Sequence, residues 1–291
     1  FRSRGWMGEE FEASNPESGV PLYYYLEEKP EAAIRLSILD SSGHVIREYS
    51  SEESEFERCL EHNEDPRNPY DAEYPSADAG LNLWYWDGRR SPFRCIKDNA
   101  LYAGLGGPGA PTGRYVARIE ANGMQSEAEF EWLADPRLAA TDAEISEWQG
   151  RVDQSAALVT EILDGLAQVR MWQSQTTVLA NRFPDQAKLQ EVARAAMSDM
   201  EQWDHAIVQP LHETLEDEDA WETRLAAQAR FVMDVIDGTG APVTEGALTR
   251  LSDLEAEWAA LKAQMATIRK NHIDSLNEWA SENGVPHVCS E

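Results

Sequence analysis

The apolar residues of this chain change their spacing at Asp135-Pro136-Arg137. Before that point they alternate with polar residues, the period of a strand with one buried face. After it they recur every three or four positions, the period of an amphipathic helix. One packed layer cannot satisfy both periods, so the chain must build a β part and then an α part. Its 291 residues and 42% hydrophobic content suffice for two cores. The expected fold class is α+β multidomain. An N-terminal antiparallel β-sandwich of the immunoglobulin or fibronectin III type is expected over 15–135, and an elongated antiparallel α-helical bundle over 136–291.

Short strands are expected at 20–26, 33–39, 45–49, around Trp84 to Trp86, at 115–121 and at 126–132. Ile34, Leu36 and Ile38 share one face. Asp40-Ser41-Ser42-Gly43 and Asn122-Gly123 are hairpin turns. Two stretches break the rhythm and are expected as insertions: the acidic 51–79 and the Gly- and Pro-rich 91–110. Residues 1–14 are expected to be a linker from a missing upstream domain.

In the second half, Thr141 and Glu144 form a capping box ahead of a long helix. Its apolar face carries Ile145, Trp148, Val152, Val159, Ile162, Leu166 and Val169. A second helix follows Phe183-Pro184-Asp185, and a third is expected from about Trp221 to Ile236. A fourth, capped by Thr244, spaces Leu251, Leu254, Trp258, Leu261, Met265, Ile268, His272 and Trp279 by threes and fours, as a helix packed against an antiparallel neighbour does. Trp148, Trp203, Trp221, Trp258 and Trp279 are expected to fill the core.

The formal net charge of -28 is spread over both halves rather than gathered in a tail. Such a surface disfavours nucleic acid and anionic lipid heads. No apolar run is long enough to span a membrane. The three cysteines, Cys59, Cys95 and Cys289, lack the paired spacing of a zinc site. Cys59 and Cys95 flank the same strand and are candidates for a disulfide if the protein is exported. Cys289 is expected to be free.

Chemistry leaves few traces. His205 and His212 lie two helical turns apart, too far to share one metal ion. The acidic run 216–219 lacks the calcium-loop pattern. Leu105-Gly106-Gly107-Pro108-Gly109 lacks the lysine and hydroxyl of a phosphate loop and reads as a flexible loop tip. Asp87, Arg89 and Arg90 read as a strand end with a surface ion pair. No catalytic, cofactor or metal residue is expected. The aromatic runs Tyr23-Tyr24-Tyr25 and Trp84-Tyr85-Trp86 differ, because neighbours on a strand point to opposite faces. Tyr24, Trp84 and Tyr85 are therefore the candidates for an exposed aromatic binding surface.

Several stretches resemble one family. Asn15-Pro16 with Gly19 and Tyr23-Tyr24-Tyr25-Leu26 resembles an entry strand. Gly80, Asn82, Trp86, Asp87 and Arg89 match a second strand, and Pro111-Thr112-Gly113-Arg114-Tyr115-Val116 a third. Asp135-Pro136-Arg137 leads into a helical region, and Leu276-Asn277 to Gly284-Val285-Pro286 resembles the ending. Together they are similar to the C-terminal region of secreted bacterial proteins with an N-terminal BNR-repeat, sortilin (VPS10)-like β-propeller, often described as glycosyl-hydrolase-like. The resemblance implies an exported protein, periplasmic or extracellular, with the propeller as partner of this region. It carries over no catalytic residue. The expected function is a non-catalytic interaction or scaffolding module. The alternative is a carbohydrate-binding accessory region of a sialidase-like glycoside hydrolase. The partner is thus a propeller, and the ligand a glycan or a protein.

Overall fold

The structure, a computed structural model, describes residues 18–63, 72–98, 101, 104–135, 137, 139–211 and 220–288. The linker expected at 1–14, His212, the run 216–219 and Cys289 lie outside them. The described chain is mixed α and β: two small antiparallel sheets, then long helices.

The first sheet pairs β1 (Val20–Leu26) with β4 (Gly80–Trp86), in register from Val20 opposite Trp86 to Leu26 opposite Gly80. The second has the order β3-β2-β5-β6, built from β3 (Val45–Ser50), β2 (Arg35–Leu39), β5 (Gly113–Ala121) and β6 (Met124–Trp132). Both expected turns form. Asp40 Oδ1 accepts the Ser42 and His44 backbone N–H groups at 2.8 and 3.0 Å. Asn122 and Gly123 take the left-handed φ values of 49° and 74° that a two-residue hairpin requires. The sheets share their cores. Tyr24 and Leu26 of β1 pack with Ile34 and Leu36, while Trp86 packs with Ile38, Tyr115 and Phe130.

Both stretches expected as insertions carry ordered structure. The acidic 51–79 contains a helix, α1 (Glu55–Asn63), started by Ser54 and Glu57, whose carboxylate accepts the Ser54 N–H at 2.8 Å. Two turns of helix are too short for periodicity to reveal. A disulfide joins its Cys59 to Cys95. The stretch 91–110 is not a loose excursion either: Phe93, Leu101 and Leu105 are buried in the core of the helices. Apolar residues set singly among glycines and prolines have no period, so their burial left no pattern.

The helices are α2 (Asp142–Arg182), α3 (Ala187–Ile207), α4 (Leu225–Thr239), α5 (Glu245–Ile268) and α6 (Asp274–Glu282). A π turn at Arg269–Ile273 joins the last two. Thr141 and Glu144 make the capping box on α2. These helices share one core. Trp203 and Trp258 are buried with rings 6.3 Å apart. Trp203 donates to the Leu261 carbonyl at 2.8 Å and Trp258 to Glu161 at 3.0 Å, so neither buried indole N–H is wasted. Trp221 is a correction: α4 starts only at Leu225, and the indole, ahead of it, is exposed.

Candidate interaction surface

The pleat sorts the aromatic runs into two sets. On β1 and β4 the even-numbered residues Tyr24, Leu26, Asn82 and Trp86 point inward and are buried. Tyr24 donates from its hydroxyl to the Ser76 carbonyl at 2.6 Å, and burial pushes its pKa up to about 12. Tyr24 therefore belongs to the core, which corrects its expected exposure. Trp84 points the same way, partly buried, its ring edge-on to Tyr49 at 5.2 Å. Tyr85 lies on the opposite face, half-exposed.

The odd-numbered set forms the outer face. Tyr23 is 66% exposed, Tyr25 71%, Leu81 73% and Leu83 39%. Register places Tyr23 opposite Leu83, Tyr25 opposite Leu81 and Pro21 opposite Tyr85. All six are uncharged, in a chain with 53 acidic residues. Three consecutive tyrosines obscured this phase. Pro21 does not settle it, since a strand proline reports which edge its nitrogen faces and not which face its side chain takes.

Beside Trp84 and Tyr85 a cleft of about 560 Å³ opens between β3, α1 and the end of β4. Arg47 stacks over Tyr49 there, 4.6 Å from the ring centre. Burial raises the Tyr49 pKa, while the Arg47 charge pulls it down. The Cys59–Cys95 disulfide ties α1 to the loop after β4.

Asp87, Arg89 and Arg90 also need correction. Asp87 Oδ1 accepts the Arg89 backbone N–H at 2.9 Å and closes the strand end. The arginines, however, reach the helices. Arg89 contacts Asp237 of α4 at 3.3 Å, Arg90 contacts Asp153 of α2 at 2.7 Å, and Arg94 contacts Asp164 of α2 at 2.8 Å. Asp237 also accepts the Gly109 backbone N–H. A Cβ on Gly107 would stand 2.2 Å from the Ser91 carbonyl oxygen, so this loop is wedged rather than free. These contacts join sheets to helices, and nothing in them resembles a reacting centre.

Among the described residues no three His, Cys, Asp or Glu side chains gather to hold a metal, and no helix is long and apolar enough to cross a membrane. His205 is exposed on α3. No protein-family model matches the chain, and no curated protein and no solved structure matches it. The resemblance to propeller-bearing proteins rests on the quoted motifs alone.

Proposed function

We propose that this chain is a non-catalytic interaction module that docks a neighbouring protein domain on the outer face of the β1–β4 sheet. In this reading the paired sheets are an immunoglobulin-like sandwich and the helices a bundle. The arginine–aspartate contacts hold the two in fixed relation. The observation that carries the reading is the uncharged face of Tyr23, Tyr25, Leu81 and Leu83 on a chain of net charge -28. Contiguous exposed apolar surface costs solubility, and covering it by a partner removes that cost. The motif resemblance supplies the partner, a BNR-repeat propeller of the same polypeptide. The disulfide supports an oxidising compartment and thus export.

A glycan reading draws on Tyr23 and Tyr25. Two residues apart on one face, they stand roughly 7 Å from one another and offer rings for sugar stacking. One experiment separates the two. The full chain and a Tyr25→Ser/Leu81→Ser variant are titrated with a propeller domain supplied in trans and exposed to a glycan array. Docking is expected to weaken about tenfold or more in the variant, with no glycan retained. Unchanged docking would sink the proposal, and glycan binding lost in the variant would favour the alternative.

A further inference from the structure

The dipeptide Asn-Gly occurs twice, at Asn122-Gly123 and at Asn283-Gly284. Asparagine is a thermolabile residue, and a following glycine leaves the next backbone nitrogen unshielded and free to turn toward the side chain. Both copies are exposed, and both glycines are left-handed, at φ 74° and 65°. The local sequence ranks them as equals. Their surroundings do not.

At the β5–β6 tip, neither the Asn122 side chain nor the Gly123 N–H makes a hydrogen bond among the described residues. Residues 122–129 are all exposed, and a Cβ on Gly123 would meet nothing within 4 Å. A left-handed Asn122 holds the Gly123 nitrogen away from its own side chain, so the turn must open before the two can react. Opening parts Ala121 from Met124, the last pair of the ladder, and uncovers no buried side chain. Asn283 is held far more firmly. Its Nδ2 donates to the Trp279 carbonyl at 2.8 Å, and the Gly284 and Val285 N–H groups donate to the Ser281 and Ala280 carbonyls at 3.4 and 3.0 Å. Val285 packs against the helix core, and Asn277 clasps the Val288 backbone on both sides, at 2.7 and 2.9 Å. Opening this turn undoes the end of α6.

We propose that Asn122 is a site of spontaneous covalent modification, whereas Asn283 is protected by its helix cap. The Gly123 backbone nitrogen attacks Asn122 Cγ. The new N–Cγ bond forms as the Cγ–Nδ2 bond breaks, and the amide nitrogen leaves as ammonia with the proton given up by the backbone nitrogen. Water then opens the five-membered imide at either carbonyl, its hydroxyl going to that carbon and its proton to the nitrogen. One opening gives aspartate, the other a β-linked isoaspartate. The first adds a negative charge. The second adds a carbon to the backbone of a turn whose length sets the β5–β6 register. That hairpin carries Tyr115, Phe130 and Trp132 around Trp86, so the β-linked product loosens one side of the sheet core. The proposal is independent of any docking partner.

The test ages the full chain in mildly alkaline buffer and follows both asparagines by peptide mass mapping. The β-linked product is read with an isoaspartyl-specific methyltransferase. Asn122 should convert about tenfold faster than Asn283 or more, because local opening governs each rate. In urea the two should convert at comparable rates, which assigns the difference to structure. Asn277→Ala, which frees the end of α6, should speed Asn283 and leave Asn122 unchanged. Aged protein should exchange the amides of 117–121 faster than fresh protein, and an Asn122→Ser chain should not change with age. Equal rates at the two sites in the folded chain, slower conversion of Asn122 than of Asn283, or the same rate difference persisting in urea would each overturn the proposal.

Discussion

The Asp237 carboxylate stands 3.1 Å from the backbone nitrogen of Gly109, 128 residues earlier in the chain. A Cβ on Gly109 would sit 2.9 Å from Asp237 Oδ1, so a side chain here would push the carboxylate aside. Arg89 shares the same carboxylate and also donates to the Gly107 carbonyl at 2.9 Å. One largely buried acid thus fixes the 89–109 loop to the end of α4. Replacing it with Ala strands a backbone N–H and removes a partner of Arg89. Asp237→Ala should cost about 2–3 kcal/mol in urea unfolding, and Asp237→Asn, which keeps an acceptor, about 1 kcal/mol. A loss below about 0.5 kcal/mol for the alanine variant would mean the loop is held by its apolar residues instead.

Two glycines of α2 should respond oppositely to one substitution. A Cβ on Gly150 meets nothing within 4 Å, whereas on Gly165 it would lie 2.7 Å from the Trp258 ring. Gly150→Ala gains helix propensity alone and should stabilise by about 0.5–1 kcal/mol. Gly165→Ala pushes on a ring packed against Trp203 and should destabilise by about 1–3 kcal/mol. Thermal unfolding of both variants checks the contrast, and equal stabilisation would refute the close packing of α2 on α5.

The change of period at 135 made the β-then-α order legible, because a one-faced strand and a one-faced helix write different spacings. The strands from Val20 to Leu26 and from Arg35 to Leu39 and the cap at Thr141 were readable for the same local reason. The outer face was not, because Tyr23-Tyr24-Tyr25 suits either phase. Only pairing against β4 decides which tyrosines enter the core. Phe93, Leu101 and Leu105 were invisible because their burial depends on helices that begin dozens of residues later. Trp221 shows the converse: a large apolar residue has no fixed fate without an element to carry it.

The Cys59–Cys95 bond closes a stretch with a sequence separation of 36. By the chain-entropy account such a loop restricts the unfolded chain by about 3–4 kcal/mol. Cys59→Ser/Cys95→Ser, or reduction of the wild type, should lower stability by about that amount and expose α1 to protease. The helices from α2 onward should keep their circular dichroism at ordinary temperature. Identical urea midpoints for oxidised and reduced protein would show that α1 is held by packing alone.

Tyr24 ties alkaline stability to the core between the sheets. Its pKa is about 12 folded, through burial, against an ordinary value of 10.0. Below pH 10 both folded and unfolded chains keep the proton, and the stabilisation is fully present. Between pH 10 and 12 the unfolded chain ionises first, so stability falls as pH rises, by about 2–3 kcal/mol over the interval. Burial also raises Tyr49 and Tyr115, so the wild-type slope is shared and the informative quantity is a difference. Tyr24→Phe loses the bond to Ser76 and should cost about 1 kcal/mol at pH 7. Its stability should then fall less steeply than wild type above pH 10, so that the two curves cross between about pH 10 and 11 and the variant is the more stable by about 1 kcal/mol near pH 12. Parallel curves from urea unfolding at pH 7, 10 and 11.5 would place the Tyr24 hydroxyl in contact with water and contradict its burial.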